Sequence, residues 1–223
     1  MSEFTTGNLF LSKYSEQLQK QMVEKPSAFL VRPLNQQWSV LYFEDDWLQQ
    51  TSTISVLLIL SKNIPLLNFS DAEDHGWGYR IFADGREQAQ FYDDFFLDHG
   101  MVIDLAETRY PDIDVQPFLY LEEEGRRIFQ QLLQEVRESE QYQAAYAKQF
   151  ERKHVEAFSY FGVASETIEK LKQLISPASL QNEPPRIEEV SEFKRLLGIS
   201  EMEWKSYHYM RLDQDRGQVQ NAA

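Results

Sequence analysis

Apolar residues recur at four-residue spacing near the start of the chain, where Leu9, Phe10, Tyr14, Leu18 and Met22 share a face. The spacing predicts an amphipathic helix over 9–24, ended by Pro26, whose ring nitrogen has no hydrogen to donate. Ala28 to Val31 and Trp38 to Phe43 are rich in β-formers and flank Arg32-Pro-Leu-Asn-Gln-Gln. That pattern predicts a hairpin. From Thr51 to Ser61, Ile54, Leu57, Leu58 and Ser61 fall on one helical face, and Ser52 or Thr53 can cap it. A short buried helix is expected there. A strand follows over Ile64 to Phe69.

The next pair is the most sharply written. Trp77, Tyr79 and Ile81 alternate with Gly78, Arg80 and Phe82, and a second run extends from Glu87 to Tyr92. Ala83-Asp84-Gly85-Arg86 joins them, and Asp-Gly suits a two-residue turn whose central residues both need positive φ. Residues 93–117 hold six Asp, two Pro and scattered apolar positions. They predict a long connection with one short strand near Met101 to Ile103.

Beyond Glu122 the period becomes helical. Ile128, Leu132, Leu133 and Val136 give one stripe, and Tyr142, Tyr146 and Phe150 another, so two helices or one bent helix are expected to about Phe161. A faint repeat follows. Val155, Phe158, Gly162 and Val163 precede Ser165, and Val190, Phe193, Gly198 and Ile199 precede Ser200. Each copy predicts a helix stopped by a left-handed glycine, an aliphatic residue under the stop, and a serine that N-caps the next helix. A proline-rich linker over 176–185 separates the copies. The expected architecture is α+β: an antiparallel sheet of about five strands with covering helices, then four to six helices after residue 122. The division expected is 1–121 for the acidic sheet region, 122–216 for the helical region, either separate from the first or one compact unit with it, and 217–223 for a frayed tail.

Charge changes the picture more than composition does. The 223 residues carry a formal net charge of −14. Between Glu44 and Glu124 stand 18 acidic residues and only four basic ones, Lys62, Arg80, Arg86 and Arg109, so this third of the chain holds essentially the whole excess. A field of that sign disfavours nucleic acid, which needs a basic stripe, and favours a cationic partner. There is no cysteine, which excludes disulfides, thiolate metal sites and a thiol nucleophile. The longest strongly apolar run, Val56 to Leu60, is too short to span a bilayer. The first residues lack the basic and apolar regions of a secretory signal, so a cytoplasmic location is expected.

Candidate chemistry is sparse. No Gly-x-Ser-x-Gly, Gly-x-x-x-x-Gly-Lys, Gly-x-Gly-x-x-Gly or His-Glu-x-x-His pattern occurs. Asp71, Glu73, Asp74 and His75 form the densest polar cluster, and His99 joins them if the chain after Asp93 folds back. Such a set can hold a divalent metal and activate water, which makes a metal-dependent hydrolase one alternative. A self-associating scaffold built on the C-terminal helices is another. The leading expectation is a non-enzymatic protein without a cofactor, of inhibitor or immunity type, that docks a basic protein partner. Its candidate contact residues are Glu44, Asp45, Asp46, Trp47, Asp93 and Asp94, where carboxylates adjoin aromatic rings.

Overall fold

A computed structural model describes residues 4–22, 28–181 and 186–212. The helix end expected at Pro26, the last four positions of the 176–185 linker, the end of the 122–216 region beyond 212 and the tail expected over 217–223 lie outside the described residues.

Among the described residues, six strands form one antiparallel sheet in the order β2-β3-β1-β4-β5-β6. They are β1 (Thr5–Leu11), β2 (Phe29–Pro33), β3 (Trp38–Phe43), β4 (Leu66–Asp71), β5 (Gly76–Ala83) and β6 (Arg86–Asp94). The fold is α+β, with one strand more than expected. The extra strand is β1, which takes the first three positions of the helix predicted over 9–24; a 3₁₀ turn (Ser12–Tyr14) and α1 (Ser15–Met22) follow it. The reason is burial. β1 lies inside the sheet between β3 and β4, and six of its seven residues are buried. A strand covered on both faces loses the alternation that announces a strand. Its polar residues are satisfied internally: the Asn8 side-chain amide donates to the Leu41 carbonyl at 3.0 Å, and that of Asn68 donates to Asn8 Oδ1 at 3.2 Å.

Both predicted hairpins form. Phe29 pairs with Phe43 in the first, and Ala83 with Arg86 in the second. Asp84 and Gly85 have φ of 54° and 74°, as the Asp-Gly turn requires.

Helices cover both faces. One face carries Phe10, Leu41, Phe43, Leu66 and Phe82 under α1 and α2 (Thr51–Leu60), which contribute Leu18, Met22, Leu57 and Leu60. The other carries Leu9, Trp38, Phe69, Trp77, Tyr79 and Phe91. It is covered by a 3₁₀ segment (Val155–Phe161), α7 (Ser165–Leu174) and α8 (Ile187–Leu197). The two repeat copies therefore share this layer, and their Phe158 and Phe193 rings meet edge-on at 5.8 Å. Gly162 and Gly198 end their segments with φ of 74° and 67°, but the expected serine cap is absent: Ala164 is the residue before α7, and Ser165 is its first helical position. The edge strand β6 is shielded by the chain around Arg152, whose carbonyl accepts from Gln90 N at 2.8 Å.

The region 93–117 is corrected most. It holds α3 (Leu97–Arg109) and the start of α4 (Val115–Leu121), not a loop with a strand. With α5 (Glu123–Glu138) they enclose a separate core of Val102, Ala106, Val115, Leu119, Phe129 and Leu132. The seam of α3 runs through Asp98, Val102 and Ala106 at four-residue spacing, and its first member is a carboxylate. Asp98 is accommodated because Arg137 Nε reaches its Oδ2 at 2.8 Å. That polar residue on the apolar seam hid the helical period. α6 (Glu140–Lys148) completes this helical part, opened by Ser139, whose hydroxyl accepts from Tyr142 N. Among the described residues, no helix is long and apolar enough to cross a membrane.

Candidate functional site

Four carboxylates of the acidic third, Asp71, Glu87, Asp93 and Asp98, face cations brought by the later part of the chain. Asp71 Oδ2 meets Lys194 Nζ of α8 at 2.9 Å, and Asp93 Oδ2 meets Arg186 Nε at 3.1 Å. Both pairs are buried. Burial pushes the Asp93 carboxyl up, and Arg186 only partly offsets this. Glu87 bonds both Arg80, at 2.8 Å, and Arg152, at 3.2 Å. These carboxylates hold the helical layer on the sheet and are not open to a partner.

The candidate contact residues divide accordingly. Glu44 is exposed. Asp45 shapes its own loop, accepting from Gln49 N and Gln50 N at 2.9 and 2.8 Å. Asp46 accepts from Tyr207 N at 3.1 Å, which ties the C-terminal segment to the 45–50 loop. Asp93 lies under the surface. Trp47 and Asp94 remain outward: the indole is 46% exposed, and Asp94 accepts from Phe96 N at 2.9 Å.

Asp46 gives a prediction about pH. Burial raises its carboxyl from the ordinary 3.8 to about 6, with the Tyr207 hydrogen bond and His208 pulling the other way. The folded chain then holds this proton more tightly than the unfolded one. The stability from it is complete below the unfolded value and is lost as pH rises toward 6. Asp46→Asn keeps an acceptor for Tyr207 without the buried charge. It should raise stability at neutral pH by about 1–2 kcal/mol and change it little near pH 4. Thermal melts at several pH values check this, and an equal effect at both ends of the range would refute it.

The candidate metal set is spread over separate contacts. Asp71 is engaged with Lys194, and its Oδ1 accepts from Glu73 N at 3.2 Å. Asp74 Oδ1 and His75 Nδ1 lie 2.6 Å apart at the surface. The chain after Asp93 does fold back, because Phe95 N donates to the His75 carbonyl at 3.1 Å. The imidazoles of His75 and His99 both contact the Phe96 ring, at 5.2 and 5.5 Å between centroids. Among the described residues, no three His, Asp or Glu side chains are grouped to hold a metal ion.

What does converge is an aromatic cup of about 520 Å³. It is lined by Phe4, Trp47, Tyr92 and Phe96, by His75 and Ala72, and by the carboxylates of Asp74 and Asp94. Each piece comes from a different part of the chain: the residue before β1, the loop after β3, the β4–β5 turn and the end of β6. Trp47 rests on Phe4 with 4.8 Å between centroids. Two bordering residues have left-handed backbone, Leu48 at φ 51° and Glu73 at φ 33°, conformations that side chains other than glycine adopt at some cost. Burial pushes the Tyr92 hydroxyl up to about 12, and the charges of Asp94, Asp93 and Asp71 add to the rise, so the cup sits in a negative field.

The cup opens beside a larger cleft of about 880 Å³ between the sheet edge and the helical part. Asp74, Asp94 and Phe96 line both hollows. The cleft adds His99, Arg137, Tyr142, Tyr146 and Arg186, so it mixes both signs of charge. Sequence reasoning missed Phe4 as a contributor, and the only sign of it was an aromatic residue beside a β-rich run. Compared with known proteins, the chain matches no family model, no curated protein and no solved structure.

Proposed function

We propose that this chain is a non-enzymatic binding protein that docks a basic protein partner on the surface around Trp47 and Asp94, in the manner of an inhibitor or immunity protein. The observation that carries the reading is the cup itself, an outward-facing group of four aromatic rings with two carboxylates and, among the described residues, no Lys or Arg in its lining. A net charge of −14 draws a cationic surface in, and the exposed indole supplies the anchor. Charge of this kind acts mainly on the rate of encounter, whereas a buried aromatic contact acts on the rate of escape.

The test is affinity capture from the host lysate by the immobilised chain, run beside Trp47→Ala and Asp94→Asn. Both substitutions lie at the surface, and the asparagine amide oxygen can still accept from Phe96 N. Wild type should retain a basic protein at low salt and release it as salt approaches roughly 0.3 M, where exposed charges are screened over short distances. Trp47→Ala should weaken the complex by about 2 kcal/mol or more, as truncation of an aromatic anchor does. Recovery of no basic protein, or capture indifferent to both substitutions, would overturn the reading.

A further inference from the structure

The four helices α3 to α6, residues 97–148, pack chiefly on one another. Their apolar core draws on residues from Met101 to Tyr142 and on none from the sheet. Their ion pairs are internal as well: Arg137 holds Asp98, Arg109 holds Glu135 and Arg127 holds Glu123. Across the cleft, Arg186 holds Asp93. Among the described residues, no ion pair joins the two sides. Helix α6, which leads back toward the sheet, buries none of its nine residues. A unit with its own core moves relative to its neighbour unless a large apolar interface prevents it.

The junction between the two sides is narrow and polar. The chain enters the helices through Phe95 and Phe96 and leaves them through Gln149. These passages are tied side by side: Asp94 N donates to Gln149 Oε1 at 2.8 Å, and Phe96 N donates to Asp94 Oδ1 at 2.9 Å. Gln149 Nε2 is buried and, among the described residues, has no hydrogen-bond partner. A buried donor left unsatisfied costs free energy, so the joint forgoes part of the polar bonding that would fix it. Away from the joint, Tyr146 reaches across. Its hydroxyl donates to the Leu180 carbonyl at 2.9 Å, and the same carbonyl accepts from Arg186 Nη2 at 2.7 Å.

From these features we infer that α3 to α6 form a hinged arm, latched by Tyr146, whose swing opens and closes the cleft and resets the cup through Phe96. Closure of two packed units on a cleft concentrates the turn in a few residues at element ends. Phe96 stands at such an end. Its carbonyl accepts from Gly100 N of α3 at 2.8 Å. Its ring meets one imidazole from each side, His75 at 5.2 Å and His99 of α3 at 5.5 Å. When the arm swings, the ring gives up one of these contacts. Phe96 also lines the cup, so the cup wall changes with the arm.

The chain has no native cysteine, so paired spin labels can be placed at will. Glu124→Cys with Gln173→Cys spans the arm and the rest of the chain. Glu124→Cys with Glu138→Cys lies within the arm on α5, and Ser52→Cys with Gln173→Cys lies outside it. All these positions are exposed. Pulsed electron resonance gives each pair's distance distribution, with and without Tyr146→Phe, which keeps the ring and removes the latch. The spanning pair should redistribute between two separations, the open-to-closed ratio changing about two- to tenfold, as loss of one hydrogen bond allows. The two internal pairs should stay as they are. The NMR signal of the His75 ring, assigned with His75→Asn, should shift with Tyr146→Phe, although Tyr146 is not among the residues lining the cup.

A spanning distribution unchanged by Tyr146→Phe would overturn the hinge. So would internal pairs that change along with it, which would mark general loosening. A redistributed spanning pair with an unmoved His75 signal would overturn the link to the cup. None of these readouts uses a partner, so failure of the hinge is distinguishable from failure of docking.

Discussion

Phe193→Ala is expected to lower the free energy of unfolding by about 3–5 kcal/mol, the range for removing a large buried aromatic side chain. Phe193 is fully buried. It stacks on Phe69 and Tyr79 at 5.7 Å from each, and meets Trp77 edge-on at 5.1 Å and Phe158 at 5.8 Å. This one ring joins β4 and β5 to the 3₁₀ segment and to α8. The neighbours belong to a sheet that cannot collapse inward, so the cavity would stay largely open. Urea denaturation of wild type and variant measures the loss, and Phe193→Leu, which retains much of the volume, should lose less. A change below about 1 kcal/mol would mean that α8 does not carry the packing assigned to it.

Lys194→Met is expected to cost about as much, by a different mechanism. Lys194 and Asp71 are both buried, and their 2.9 Å contact compensates each charge. Removing the ammonium leaves a carboxylate under the helical layer without its counter-charge, a loss of about 3–5 kcal/mol. The double variant Asp71→Leu with Lys194→Met should recover most of it, because an apolar pair of similar volume carries no desolvation penalty. Urea denaturation of the two single variants and the double variant gives the coupling. If the double variant is no more stable than Lys194→Met alone, the pair is not what holds α8 to β4. Asp71 also accepts from Glu73 N, so the same ion pair steadies the loop that carries Asp74 and His75 into the cup. Lys194→Met should therefore weaken capture of a basic partner as well as the fold.

The acidic third of the chain was legible as a charge excess, but its use was not. Asp71, Asp93 and Asp98 are answered by Lys194, Arg186 and Arg137, which come from the helical part of the chain. A count of charges along the sequence cannot distinguish a carboxylate that grips the protein's own helix from one that faces outward. Trp47 stands out as a candidate contact residue because it follows a run of three carboxylates after a strand, and its indole is 46% exposed. Phe4 and Tyr92 gain their roles only from their neighbours in space.

By itself the sequence determined the elements whose signals are local. Asp84 and Gly85 specify their turn through two backbone angles, Gly162 and Gly198 stop their helical segments through one each, and the alternation around Trp77 makes β5 a strand. Tertiary structure alone decided β1, whose burial on both faces erased its period, and α3, whose seam holds a carboxylate that needs Arg137 from α5. It also decided the cup, whose walls come from Phe4, Trp47, His75 and Phe96, far apart along the chain. The physical reason is the range of the interactions: a backbone angle is set by a residue and its neighbours, whereas burial and charge pairing depend on segments that meet only when the whole sheet has formed.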